Sequence, residues 1–258
     1  WTIWSGNSNP FGGNAPDITG SLQHDWRSYR ITEGQMRGLE PLPPLPSGNG
    51  LAYSFAPMLT PQMVGGLSKL YDGTRNFSAG QVSVNFDGLI NGDTLNSVNI
   101  SSILADVAGI SATQATISGI NASFTDSSGK PVFGYQFSPT LTAPASILPR
   151  PLLAALIGTV SRNYDGTTNA LLGSGNFALN GLVSGETITV TQTAGAFGTA
   201  NVGSNLSVSA SLGDANFTAG AGTALSNYLL PTTATGAIGS ILPRPLLAAL
   251  IGTVSRNY

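Results

Sequence analysis

Apolar and polar residues alternate with period two in several short stretches of this chain. Gln81-Val82-Ser83-Val84-Asn85-Phe86 does so, as do Ala115-Thr116-Ile117-Ser118-Gly119-Ile120, Thr187-Ile188-Thr189-Val190-Thr191 and Leu206-Ser207-Val208-Ser209-Ala210. That period belongs to a strand with one face buried and one face wet. Gly181, Gly185, Gly203 and Gly213 punctuate these stretches, where turns need backbone freedom. In the second half of the chain the pattern predicts strands at 152–164, 175–179, 186–192, 205–212 and 226–230. Leu-Leu-Ala-Ala-Leu-Ile at 152–157 has helical propensity, but Pro149 and Pro151 before it and Thr159-Val160 after it favour a strand. Five to eight strands in about ninety residues predict a small β-sandwich.

The chain also repeats itself. The nineteen residues 146–164 recur unchanged at 240–258, 94 residues later. Tyr71-Asp72-Gly73-Thr74 and Tyr164-Asp165-Gly166-Thr167 correspond at a spacing of 93. Downstream, Phe-Asp-Gly-Leu-Ile-Asn-Gly-Asp at 86–93 matches Leu-Asn-Gly-Leu-Val-Ser-Gly-Glu at 179–186. The closing steps Tyr135-Gln136-Phe137-Ser138-Pro139 and Tyr228-Leu229-Leu230-Pro231 also correspond, and Tyr53-Ser54-Phe55-Ala56-Pro57 echoes them. These seams predict a segment 1–57 that closes a preceding unit, a module at 58–146, a module at 147–240, and an opening strand at 241–258. Arrays of similar modules read as stalks, spacers or adhesive fibres rather than as enzymes.

Composition narrows the class. A chain with 41% apolar residues and net charge −2 has the wrong balance for disorder. Ten Lys and Arg against twelve Asp and Glu make no broad basic face, so nucleic acid is not an expected partner. The longest apolar run, 152–157, is far short of a membrane span, so no membrane insertion is expected. The absence of cysteine excludes disulfides and thiolate metal sites. The N-terminus has no charged or apolar leader region, so an export signal is expected upstream.

Candidate chemistry is sparse, and no catalytic, cofactor or metal residues are expected. The one histidine, His24, reads as a surface or rim residue and gives no base for a Ser-His-Asp arrangement. Asp87, Asp93 and Asp126 lack calcium-loop spacing and read as solvated turn carboxylates. Asp165, Glu186 and Asp214 are too scattered to suggest paired catalytic carboxylates. A Lys–Asn cross-link is excluded for the second module, because Lys69 and Lys130 are the only lysines. Tyr71, Asp72, Gly73 and Tyr164, Asp165, Gly166 read as a structural motif. The Asp-Gly pair supplies turn chemistry, while the tyrosine ring buries and its hydroxyl seeks a partner at the rim.

The run Ile-Leu-Pro-Arg-Pro-Leu…Gly-Thr-Val-Ser-Arg-Asn-Tyr-Asp-Gly-Thr-Thr at 147–168 resembles the opening of YDG-repeat modules. These occur in large bacterial surface proteins similar to filamentous haemagglutinin. Ala200-Asn201-Val202-Gly203 and Ser226-Asn227-Tyr228-Leu229 fit the same pattern. So do Trp1-Thr2-Ile3-Trp4-Ser5, Phe11-Gly12-Gly13, Tyr29 and Gly48-Asn49-Gly50-Leu51-Ala52-Tyr53-Ser54, in that order. The first module departs by a Val-Gly-Gly-Leu opening and an insertion around 126–130. The resemblance implies an exported protein at the bacterial surface, often secreted through a partner pore, that mediates attachment and carries no catalytic residue. The fold it implies is all-β, with tandem immunoglobulin-like β-sandwich modules or a β-grasp-like variant.

The segment 1–50 holds all three tryptophans and the stretch Pro41-Leu42-Pro43-Pro44-Leu45-Pro46, which reads as a stiff extended spacer. The Trp1–Trp4 end is expected to be a strand packed on a previous unit. At the other end, an apolar strand carrying Leu246, Leu247, Leu250, Ile251 and Val254 has no module of its own. Either a further module follows it, or it inserts into a neighbouring subunit and builds a fibre by strand addition. The expected partners are therefore neighbouring modules or other copies of this chain, with any receptor unspecified. Five glycosylation sequons stand at Asn76, Asn99, Asn121, Asn205 and Asn216.

Overall fold

The computed structural model describes residues 1–11, 22–249, 251–252 and 255–256. The chain is all-β, and its one α-helix among the described residues is the single turn Glu33–Met36. It forms two compact units. The first comprises Trp1–Lys69 and Gly73–Leu148; the second comprises Leu70–Asp72 and Pro149–Tyr258.

A six-stranded sheet in the first unit runs in the order Thr2–Ser5, Gly50–Tyr53, Trp26–Ser28, Pro131–Phe133, Asn121–Thr125, Thr94–Asn99. The first four strands pair in parallel and the last two join antiparallel. A four-stranded sheet follows the order Leu67–Leu70, Thr140–Leu148, Gln114–Ser118, Ser102–Ala105, and Thr60–Gly65 pairs with Val82–Asp87. Segment 1–57 thus does not close a separate preceding unit. Trp1–Trp4 enters a strand, as expected, but that strand pairs with Gly50–Tyr53 of the same sheet. Trp26 is buried and Trp4 donates its indole N–H to the Ile31 carbonyl at 2.8 Å. Residues 41–46 carry no regular structure and are mostly exposed, and they connect the Glu33–Met36 turn to strand Gly50–Tyr53 within the first unit rather than spacing two units.

The second unit is organised on the long strand Thr233–Leu242. Its main sheet runs Asn169–Leu171, Ala194–Phe197, Gly203–Ser211, Thr233–Leu242, Leu153–Leu156, Phe177–Asn180, with Val160–Asn163 also pairing parallel to Thr233–Leu242. The predicted strand at 152–164 is two strands, because Gly158 adopts φ 79° and turns the chain between them. The choice of strand over helix for Leu-Leu-Ala-Ala-Leu-Ile is borne out at Leu153–Leu156. Period two also holds: Val208, Ala210 and Leu212 are buried while Ser207, Ser209 and Ser211 are exposed. They join Leu156, Val160, Val190, Phe197, Phe217 and Ile241 in one core.

Strands Ala194–Phe197, Phe217–Ala219 and Thr233–Leu242 are absent from the predicted set. They are rich in Gly, Ala and Thr, and small side chains give a weak apolar signal. Two of those glycines are required by close approach. A Cβ at Gly236 would stand 2.3 Å from the Leu156 carbonyl oxygen, and one at Gly239 2.6 Å from the Phe197 ring. Beyond Leu242, residues 243–249 belong to no strand. Among the described residues the expected opening strand therefore reduces to Ile241–Leu242, which pair with Arg162 and Asn163. Leu246, Leu247 and Ile251 are exposed, and Leu250 and Val254 lie outside the described residues.

The two units share register. Thr140 opposes Ser118 in one and Thr233 opposes Ser211 in the other, each pair displaced by the 93-residue repeat. Met58 bridges Gln136 as Pro151 pairs with Leu229, again 93 apart and again parallel.

Candidate functional site

In the second unit the turn Val183-Ser184-Gly185-Glu186 closes with a Glu186 N–H to Val183 C=O bond of 3.1 Å, with Gly185 at φ 87°. The turn sets Glu186 just ahead of strand Ile188–Val190. Gly181, at φ 106°, lets the chain pass the Pro151 carbonyl, which a Cβ there would meet at 2.9 Å. Tyr228 opens strand Tyr228–Leu229, held parallel to Arg150–Pro151. Its hydroxyl donates to Glu186 Oε2 at 2.6 Å and accepts the Val183 N–H at 3.0 Å. A second tyrosine, Tyr71 of the Leu70–Asp72 segment, donates to the other oxygen, Glu186 Oε1. The two rings meet edge to face with centroids 5.5 Å apart. Burial, then the hydrogen bond to Glu186, pushes Tyr71 up to about 12, and the same causes raise Tyr228.

The first unit builds the same clasp on an aspartate. The turn Ile90-Asn91-Gly92-Asp93 closes with a 2.9 Å Asp93 N–H to Ile90 C=O bond. The Tyr135 hydroxyl donates to Asp93 Oδ2 at 2.8 Å and accepts the Ile90 N–H at 3.2 Å. Tyr29 donates to the same oxygen at 2.7 Å, and its ring meets Tyr135 at 5.0 Å. The acid precedes its closing tyrosine by 42 residues in both units. Here a charged extension is added. Arg27 Nη1 lies 2.6 Å from Asp93 Oδ1, Arg27 Nη2 3.8 Å from Asp126 Oδ2, and His24 Nε2 2.6 Å from that same oxygen.

Asp93 and Asp126 are therefore not the solvated turn carboxylates their sequence suggests. Both are buried, because tyrosine hydroxyls, Arg27, His24 and backbone N–H groups replace water around them; Asp87 alone of the three is exposed. Burial raises Asp93 above the usual carboxylate range, although Tyr29, Tyr135 and Arg27 pull the other way. For Asp126 burial also acts upward but is outweighed by the Lys130 N–H, His24, the Ser128 N–H and Arg27, which leave it lowered. Burial and Asp93 raise both Tyr29 and Tyr135. His24 sits at the rim, half-buried against Asp126.

The two Tyr-Asp-Gly-Thr tetrads are turns gripped by a basic side chain two residues before the tyrosine. Gly73 and Gly166 take φ 78° and 80°. Lys69 Nζ donates to the Thr74 carbonyl at 2.8 Å and to Thr74 Oγ1 at 3.0 Å. Arg162 Nη1 donates to Thr167 Oγ1 at 2.7 Å and to Asp165 Oδ2 at 2.8 Å. Asp165 also accepts the Thr167 N–H at 2.8 Å, the leading cause of its lowered pKa. Asp72 and Asp165 are exposed. The tyrosines differ: Tyr71 is 5% exposed and Tyr164 41%.

Asn76, Asn99, Asn121 and Asn205 are exposed and Asn216 is half-buried. Asn99 and Asn121 face each other across one strand pair. Among the described residues, no group of three or more His, Asp or Glu could hold a metal ion, and no helix is long and apolar enough to cross a membrane.

The sequence aligns Asp93 with Glu186 and Tyr135 with Tyr228, but there Asp93 reads as a solvated turn carboxylate and Glu186 as a scattered acid, and neither acid is paired with a tyrosine. The available signal was the constant 42-residue spacing of an acid and a tyrosine inside otherwise variable text. Chemically, a carboxylate whose two oxygens or two lone pairs receive phenol protons is a fastening, and both tyrosines donate inward. The geometry defines a repeated β-module closed by a tyrosine–carboxylate–tyrosine clasp. Residues 148–236 are a YDG domain by their match to that family. No curated protein and no solved structure matches the chain.

Proposed function

We propose that this chain is a non-enzymatic stretch of modular stalk or adhesin from a large secreted bacterial surface protein of the filamentous haemagglutinin-like kind. The observation that carries this reading is the repetition of one clasp in one register on two consecutive units. A repeated fastening suits a chain that bears load between an anchor and a distant contact, and nothing in it requires turnover. The stretch would work at the cell surface or in an extracellular fibre, with neighbouring modules as its constant partners and a host or surface receptor as its distal one.

Pulling single molecules from residue 1 to residue 258 tests the mechanical part. Two discrete unfolding steps are expected; a single soft, continuous extension would sink the stalk reading. Retention under flow of non-adherent cells displaying the chain tests the attachment part, and turnover of any glycan in a parallel screen would overturn both.

A filament subunit joined by donor strands is the second reading. It is favoured by the 91% exposure of Leu246, whose counterpart in the identical earlier run, Leu152, is 3% exposed. Light scattering on residues 1–258 and 1–240 separates the two readings. Open-ended growth that disappears with residues 241–258 would put the filament first.

A further inference from the structure

The clasp of the second unit draws its second tyrosine from far upstream. Tyr71 follows strand Leu67–Leu70 of a first-unit sheet, yet belongs to the second unit, where it reaches Glu186. In that sheet Leu67–Leu70 lies beside Thr140–Leu148, and the chain after Leu148 enters the second unit as well.

The second unit repeats the donor half of this arrangement. Strand Val160–Asn163 lies beside Thr233–Leu242 in parallel, and the Tyr164 N–H continues the pairing with a 2.8 Å bond to the Leu242 carbonyl. Tyr164 corresponds to Tyr71, and residues 243–258 repeat 149–164. Here Tyr164 is 41% exposed and Leu246 91%. Their counterparts Tyr71 and Leu152 are 5% and 3% exposed. A phenol and a leucine whose counterparts are buried elsewhere in the same chain are thus both exposed here.

We propose that Tyr164 is the donor tyrosine of a third clasp, and that its occupant is a further YDG-type module opened by residues 243–258. The module would carry a carboxylate at the position of Glu186 and a tyrosine 42 residues beyond it, as Glu186 and Tyr228 do. A second copy of this chain does not fit as well. Its Asp93 already holds Tyr29 and its Glu186 already holds Tyr71. The Asp165-Gly166-Thr167 turn, gripped by Arg162, then aims Tyr164 into that module. The proposal rests on the modular reading above, but its test reads tyrosine accessibility and not attachment, so the two can fail separately.

Because residues 240–258 repeat 146–164, a second copy of residues 165–258 can be joined after Tyr258 with the native junction sequence preserved. Nitration by tetranitromethane followed by peptide mass spectrometry reports each tyrosine. In the 258-residue chain Tyr164 is expected to react while Tyr71 and Tyr228 are protected. In the extended chain Tyr164 is expected to fall to the reactivity of Tyr71. Glu186→Ala made in the added copy alone should restore Tyr164 reactivity while the added copy stays folded by circular dichroism. Three results would overturn the proposal. Tyr164 could stay reactive beside a protected Tyr228 of the added copy, it could stay protected in the Glu186→Ala variant, or the added copy could fail to fold with all its parts present.

Discussion

Tyr228 and Glu186, 42 residues apart in sequence, meet at 2.6 Å, and the same tyrosine hydroxyl accepts the N–H of Val183 at 3.0 Å. One phenol therefore fixes both ends of the turn that presents its own acceptor. Tyr135 does the same for Ile90 and Asp93. Tyr228→Phe removes a hydrogen bond to a charged group and strands a backbone donor, so the second unit is expected to lose about 2 kcal/mol. Urea unfolding read by hydrogen exchange in residues 183–190 checks this. An unchanged midpoint would mean that water replaces the phenol without loss.

The two acids should differ in cost. Asp93→Asn removes the nearer of the two carboxylates on buried Arg27 and leaves only Asp126 at 3.8 Å, and breaking a buried ion pair costs about 3–5 kcal/mol. Glu186 is held by two tyrosine hydroxyls and, among the described residues, by no arginine, and it is only half-buried, so Glu186→Gln is expected to cost about 1–2 kcal/mol. Chemical denaturation of each single variant gives the ranking; equal losses would remove the role assigned to Arg27.

Alkali should loosen the second clasp before the backbone is otherwise challenged. Tyr71 is pushed up to about 12 from an ordinary 10.0, first by burial and then by its bond to Glu186. The folded chain therefore keeps a proton that the unfolded chain has already released. That stabilisation is complete below about pH 10 and drains away as pH rises toward about 12. The guanidinium midpoint of the second unit is expected to fall across this window, and Tyr71→Phe should flatten the fall. A variant with the same slope as the parent would show that other groups govern it.

Gly181 and Gly175 make a matched pair of probes. Gly181→Ala would set a side chain at φ 106° with its Cβ 2.9 Å from the Pro151 carbonyl, so a loss of about 1–3 kcal/mol is expected. Gly175 meets nothing within 4 Å, and Gly175→Ala should change stability by less than about 1 kcal/mol. Thermal melts of the two variants test the contrast.

Glycosylation at the exposed sequons is a separate expectation. In material from the native producer, peptides carrying these asparagines should exceed their sequence masses by whole sugar units, with Asn216, the half-buried site, modified least. Peptide masses equal to those of the sequence at all five sites would end the idea.

Much of the fold was legible locally. Ser207, Val208, Ser209 and Ala210 alternate in the text and alternate in exposure, because a strand's two faces are set by a period of two and by nothing distant. The repeat spacing of 93, read from Tyr71 and Tyr164, reappears as the register of Thr140 on Ser118 and Thr233 on Ser211. The Asp-Gly turns took the positive φ expected of them at Gly73 and Gly166. Strands built from Gly, Ala and Thr escaped notice because their fit depends on how closely Leu156 and Phe197 approach, which no local pattern records.

By itself, then, the sequence determined that the chain is β, that it carries an internal repeat, and where turns such as those at Gly73, Gly166, Gly181 and Gly185 fall, although Gly203, also read as a turn, opens a strand. Only the tertiary structure decided that Asp93 and Asp126 are buried, that segment 1–57 joins the first unit's sheet, and that Tyr71 serves a carboxylate 115 residues away while Tyr164 meets solvent. The reason is physical. Strand period and turn conformation are set by neighbours along the chain, whereas the environment of a phenol or a carboxylate is set by whatever packing places against it.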